Sequence, residues 1–276
     1  MSAFCCDPIP VGQERVTLTA RDGDGAAAAL AGVFHAPTLF EAGDLRLDAT
    51  ERGFEAMAVF ARALAAHLAP IGGEVLAWER PNREAWRRTL EEVGFRAARR
   101  KTYVEAPLAG VRRGAGAGFV LRSLVEVGEP EFVARMLAAS EGDPFEERKG
   151  ADRDPEREWR ELVEGAGARF DPTRWLLVDD AKGPVGVVLP QAHDEKSGTL
   201  FYVAVLPERR GEGLGTRLHA FGLERLADMG LPRYVGSTDV RNAPMLRVFA
   251  RNGCTTLGTK AHYVPPAASP GTALPT

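Results

Sequence analysis

Three glycines alternate with other residues just after two arginines in the stretch RRGEGLGTRL, Arg209 to Leu218. Glycine that dense weakens a helix, yet apolar residues at helical spacing follow at once. The first amides of a helix have no partner inside it and carry the positive end of its dipole. A strand ending near Val205, a turn at Pro207 and a helix starting near Gly213 therefore form a cradle for a phosphate or pyrophosphate, with Arg210 adding charge at the rim. A P-loop is excluded because no lysine follows Gly215, and the dinucleotide fingerprint is excluded by its different glycine spacing and its place early in a fold. A glycine-rich turn with no ligand is the alternative that the glycines alone leave open.

Other reactive residue types offer less. Cys5, Cys6 and Cys254 cannot make a disulfide framework, and the five histidines have no metal-like spacing, so a reduced, cytoplasmic protein without a metal site is expected. The acids Asp143, Glu146 and Glu147 read as a solvated loop, and Asp239 as a turn or cap residue beside Arg241 and Asn242. The basic run RRTLEEVGFRAARRK lacks interleaved aromatics and reads as a solvated helix face. A net charge of −3 gives no field that would favour nucleic acid or an anionic membrane. The longest apolar stretches, such as residues 61–71, look too short and broken to cross a bilayer, and the N-terminus lacks the pattern of a secretion signal.

The elements that would position the cradle are legible around it. FVLRSL reads as a strand, EPEFVARMLAAS and DPEREWRELVEGA as helices, the latter capped by Asp154. RWLLVDD, GPVGVVLPQ and GTLFYVAVLP read as three strands. A helix from the cradle to Met229, the strand RYVGSTD and a helix capped by Asn242 complete the order. AGVRRGAGAG, residues 109–118, has no apolar periodicity and reads as a linker, while the ends of the chain read as loose. Sliding the chain by 160 positions places Gly53 on Gly213, Val75 on Val235 and Asn82 on Asn242. The same offset, within one residue, relates the helix 54–69 to 214–229 and NREAWRRTLEEVGF to NAPMLRVFARNGC, which reads as an internal duplication.

With Arg210-x-x-Gly213-x-Gly215 after a strand, and Asn242 opening the helix after the next strand, residues 118–265 resemble the GCN5-related N-acetyltransferase (GNAT) superfamily. The resemblance implies an α+β fold with a mixed, mostly antiparallel sheet flanked by helices. With the duplication it implies two such domains in tandem: 1–110, degenerate and shortened, 118–265 carrying the site, and a tail at 266–276. It further implies acetyl-CoA or another acyl-CoA as co-substrate, an amine acceptor, and direct attack of that amine on the thioester. Val203, Ala204 and Val205 would pair by main chain with the pantetheine arm, and the amides of Gly211, Glu212, Gly213, Leu214, Gly215 and Thr216 would hold the pyrophosphate.

One position departs from the family pattern. A tyrosine usually stands seven residues after the asparagine and protonates the leaving thiolate; here it is Phe249. Loss of a general acid costs about 10²- to 10⁴-fold, so a catalytically silent CoA-binding or scaffolding protein is the rival expectation. Asp239, Tyr202 and Tyr263 are weak catalytic candidates, with His262 beside them, and Cys254 reads as a small buried residue. In the first domain the cradle maps onto Thr50-x-x-Gly53-x-Glu55, without the arginine and with a carboxylate where phosphate would sit, so no CoA site is expected there. That domain is expected instead to extend the sheet, bury an apolar face of the second domain or shape the acceptor pocket, with the interface of a homodimer as the other role open to it.

Overall fold

The computed structural model describes residues 4–10, 12–24, 27–47, 53–145 and 154–267. The first elements are β1 (Cys5–Cys6), β2 (Arg15–Arg21), β3 (Ala27–Ala36), β4 (Leu39–Leu47), α1 (Gly53–Leu68), β5 (Glu74–Trp78), α2 (Glu84–Glu92) and β6 (Arg96–Pro107). They are followed by β7 (Val120–Ser123), α3 (Leu124–Val127), α4 (Glu129–Ser140), α5 (Pro155–Ala166), β8 (Leu176–Asp180), β9 (Gly183–Ala192) and β10 (Ser197–Val205). The chain ends with α6 (Leu214–Asp228), β11 (Arg233–Asp239), α7 (Ala243–Arg251) and β12 (Thr255–Val264).

Two compact units form, one from residues 1–101 and 258–276, the other from 102–257. The expected domains were continuous stretches; the spatial units instead divide β6 after Lys101 and β12 after Leu257.

In the first unit the strands run in the order β1-β2-β3-β4-β5-β12. β2 to β4 form an antiparallel meander, β4 pairs in parallel with β5, and β12 pairs antiparallel with β5 from Lys260↔Trp78 to Tyr263↔Val75. Val16, Leu18 and Ala20 alternate inward along β2, as a half-buried strand requires. Ala56, Phe60, Ala61, Leu64 and Leu68 of α1 meet them at helical spacing, with Trp86 and Leu90 of α2. The expectation about membrane spans needs correction. The stretch Gly53–Ile71 has 19 residues and is long and apolar enough to cross a bilayer by length and composition alone. Its apolar side nonetheless forms the core of this unit.

In the second unit the order is β11-β10-β9-β8-β7, with β6 beside β11. β9 is buried on both faces and feeds two cores. Val188 joins Leu218, Phe221, Tyr234 and Phe249 under α6 and α7. Val187 and Leu189 join Phe132, Trp175 and Leu177 under α4 and α5. The run 109–118 packs along α6 in this unit: Arg217 donates to the carbonyls of Ala115 and Ala117, and Glu224 accepts from the Ala115 amide at 2.6 Å.

The basic run is a second correction. α2 stops at Glu92, and FRAARRK leads into strand β6, where Arg99 pairs with Glu74 and Arg100 with Glu79.

Candidate functional site

β10 and β11 run parallel, but their ladder consists of Ser197↔Arg233 and Gly198↔Tyr234. Beyond that point β10 continues to Val205 and β11 to Asp239 without pairing. On its other side β10 stays paired with β9 to the end, through a register shift between Leu200 and Val203. The strands therefore part from a shared base, and the backbone of Val203, Ala204 and Val205 lines the opening on the β11 side. A parted parallel pair offers unpaired main-chain donors and acceptors to an extended ligand.

The opening leads to the cradle. After a 3₁₀ turn at Pro207–Arg209 the chain passes Gly211 (φ 88°) and Gly213 (φ 79°), and Gly213 is the N-cap of α6. Both backbones are left-handed, where a Cβ is strained. A side chain there would meet no other atom, so conformation, and not space, demands these glycines. Gly215 differs: it is helical, and a Cβ there would make ordinary contact with Val248 and Val205. The first turn of α6 has no acidic residue and no side-chain cap, so its amides face outward unclaimed by a side chain, with Gly211, Glu212 and Gly213 exposed.

The loop is held by a residue that the sequence reading passed over. Arg209 turns inward, 8% exposed, and bonds Asp180 at 2.8 and 3.2 Å, Glu212 at 3.0 Å and the carbonyl of Pro184 at 3.0 Å. Hydrogen bonds from Arg209 hold Asp180 and Glu212 below their ordinary carboxylate values, with Lys182 adding to both. Arg210, expected at the rim, is exposed and donates to the carbonyls of Val205 and Ala139. The pair of acids Asp179-Asp180 at the end of β8 was the signal for an inward arginine, but nothing local says which arginine would take it.

Asn242 caps α7: its side-chain oxygen accepts from the Met245 amide at 3.1 Å and its amide donates to Thr238 at 3.0 Å. Phe249 is 3% exposed and packs against His219 and Tyr234. Asp239 is bound in both oxygens by Arg241, the turn role expected of it. Tyr202 is half-buried on β10 beside the aromatic core under α4 and α5. Tyr263 and His262 lie on β12 in the first unit, where Tyr263 donates to Glu91 and His262 bonds Glu74. Burial pushes the Cys254 thiol up to about 11. Asp143 accepts from the Phe145 amide, while Glu146, Glu147 and Thr50 lie outside the described residues.

A polar chain that the sequence did not reveal runs beneath Phe249. Asn252 donates from its amide nitrogen to the carbonyl of Thr216 at 3.0 Å and meets His219 Nδ1 at 2.9 Å. His219 Nε2 meets the Tyr234 hydroxyl at 3.2 Å. Burial lowers His219 to about 4, so its ring is neutral at ordinary pH. No group of three or more His, Cys, Asp or Glu side chains that could hold a metal occurs among the described residues.

Residues 134–254 match the sequence profile of the acetyltransferase (GNAT) family. Among curated proteins the chain is similar to a mycothiol acetyltransferase of Streptomyces bingchenggensis, 38% identical over 95 residues, which are 34% of this chain and 31% of that protein. A mycothiol acetyltransferase of Actinosynnema mirum is 29% identical over 196 residues, 70% of this chain and 64% of that one. The chain thus spans less than two thirds of the length of these relatives. Among solved structures, a GCN5-related N-acetyltransferase from Sphaerobacter thermophilus aligns with a TM-score of 0.58 and 20% identity, covering 92% of this chain and 81% of that one. A tandem GNAT protein from the clavulanic acid biosynthesis pathway aligns with a TM-score of 0.55 and 16% identity, covering 93% and 84%. The fold is the GNAT fold in a two-domain arrangement.

Proposed function

From the match of residues 134–254 to the acetyltransferase (GNAT) family, we propose acetyl transfer from acetyl-CoA to a primary amine, carried out by the second unit. The observation that carries this reading is the parting of β10 and β11 above two paired residues, opening onto the left-handed turns at Gly211 and Gly213. The pantetheine arm would pair with the main chain of Val203 to Val205. The amides from Gly211 to Thr216 and the dipole of α6 would hold the pyrophosphate. The amine, once neutral, attacks the thioester carbonyl, and a backbone amide at the register shift in β10 would receive the developing oxyanion. The base is unassigned: Asp239, the acid placed nearest the mouth by sequence, is engaged by Arg241. The names of the similar mycothiol acetyltransferases support acetyl as the group carried.

The first domain is read as degenerate and without its own CoA site: Glu55 stands in the first turn of α1, and Glu41 and Glu74 of its strand pair are held by Lys260 and Arg99. A second reading, a silent CoA-binding protein, is favoured by Phe249, whose buried ring has no proton to give. Calorimetric titration with acetyl-CoA followed by thiol release across an amine panel separates the two. Turnover with any amine supports transfer, binding with no turnover supports the silent protein, and absence of binding defeats both.

A further inference from the structure

The buried hydroxyl of Tyr234 has a proton to donate that none of the described residues takes. Asn252 Nδ2 faces the Thr216 carbonyl, which can only accept, so the atom there is the nitrogen. The same nitrogen meets His219 Nδ1, which must therefore be the accepting, unprotonated ring atom. A neutral imidazole carries its one hydrogen on the other nitrogen, so His219 Nε2 donates to the Tyr234 oxygen. The hydrogen of Tyr234 is left over. The described residues supply it with no acceptor, although Tyr234 is only 2% exposed. A buried donor without an acceptor costs stability unless something else meets it.

The hydroxyl also lies at a particular place. Tyr234 is the last β11 residue paired with β10, at Gly198. Its side chain runs forward along the strand, and a Cβ at Gly236 would collide with the hydroxyl. Gly236 belongs to the stretch of β11 that no longer pairs with β10. The hydroxyl thus sits over bare backbone just past the base of the opening. Phe249, the aromatic neighbour with no hydroxyl, packs on the same cluster at 6.5 Å between ring centroids.

Resting on the acetyl-transfer reading, we propose that Tyr234 is a catalytic residue whose hydroxyl donates a hydrogen bond to the thioester sulfur at the base of the opening, with His219 and Asn252 as positioning residues. In the transfer step the amine nitrogen's lone pair forms the N–C bond and the C–S bond breaks, its electron pair going to sulfur. The proton lost by the amine goes to water, from which the free thiolate takes one. Tyr234 keeps its proton throughout: burial raises its hydroxyl above its ordinary value, with Cys254 adding a smaller push. The donor acts by stabilising charge on sulfur as it develops.

The test reads that charge directly and needs no acceptor. Free CoA is bound to the full chain, and its thiolate absorbance is followed against pH in the wild type, in Tyr234→Phe and in Tyr234→Phe/Phe249→Tyr, which returns a hydroxyl from the neighbouring ring. The expected result is a thiol about tenfold more ionised on the wild type than on Tyr234→Phe at a given pH, with CoA affinity within about threefold and partial recovery in the double variant. Equal titration in wild type and Tyr234→Phe overturns the proposal while leaving the CoA reading in place. A wild-type complex whose thiol ionises less readily than free CoA overturns it without any variant. Failure of the wild type to bind CoA overturns the acetyl-transfer reading beneath it.

Discussion

Both units build a parallel strand pair followed by a helix, and they furnish it differently. In the first unit β4 and β5 pair over Leu39↔Glu74, Phe40↔Val75 and Glu41↔Leu76; in the second, β10 and β11 pair over two positions. The charged groups differ more. Glu41 accepts from Lys260 and His35, both at 2.7 Å, and Glu74 accepts from Arg99 and His262. Burial pushes Glu41 up, but the hydrogen bonds from His35 and Lys260 and the charge of Lys260 outweigh it and bring it to about 2. In the second unit β10 brings Thr199, Leu200 and Val203 to Val205, uncharged residues, and the charged residues of β11, Arg233 and Asp239, stand at its two ends. One unit ties the charged residues of its strand pair into internal ion pairs, and in the other the two strands part after two paired positions.

The comparison predicts one CoA per chain, and a calorimetric stoichiometry of two would break it. Gly213→Val should weaken CoA binding on the order of 100-fold, since a β-branched residue at φ 79° must strain or rebuild the turn. Gly215→Ala should change affinity by no more than about threefold, because the helical position accepts a Cβ. Equal losses from the two substitutions would show that space, and not backbone handedness, sets the cradle.

Acid separates the units next. The folded value of His219 lies below that of an unfolded histidine, so the unfolded chain binds the extra proton first. The neutral ring's contribution is therefore complete above about pH 6.5 and is lost as pH falls toward about 4, up to about 3 kcal/mol. Glu41 loses its contribution lower, between about 4.5 and 2. Denaturant midpoints of His219→Gln should be flatter than wild type across the upper window and unchanged in slope across the lower one. A smaller effect is expected at the α7 cap. Asn242→Ala should cost about 1 kcal/mol, seen as a melting temperature lower by about 3 °C. Glu55→Gln is the smallest change and should leave the CoA stoichiometry at one. A second site appearing there would make that single carboxylate the reason for the first unit's silence.

Much of the second unit could be read in advance because its signals are local. RYVGSTD is β11 to the residue, and EPEFVARMLAAS is α4. The cap of Asp154 on the Arg157 amide and that of Asn242 on Met245 lie within three residues of their partners. The meander of the first unit was hidden because β3, AAALAGVFHA, is built largely from alanine, which favours helices. β6 was mistaken for a helix face because its charges dominate its pattern; the partners of Arg99 and Arg100 lie 25 and 21 residues away. Arg209 and Arg210 are adjacent and chemically alike, and only Asp180, 29 residues earlier, decides which one turns inward. The chain from Thr216 through Asn252 and His219 to Tyr234 joins two residues of α6, the C-cap of α7 and a strand, and no sequence spacing announces it.

The split of β6 and β12 between the units has a consequence for how the protein is made. The first unit includes residues 258–264, whose pairing with β5 fills its sheet. A ribosome releases that strand only after residues 102–257 of the second unit, long after α1 and β5 have emerged. The first unit is therefore begun before the second and finished after it, and until then β5 lacks its β12 neighbour and presents a bare edge. A nascent chain halted after Leu257 should remain protease-sensitive across β2 to β5, and extending it through Val264 should close that region in one step.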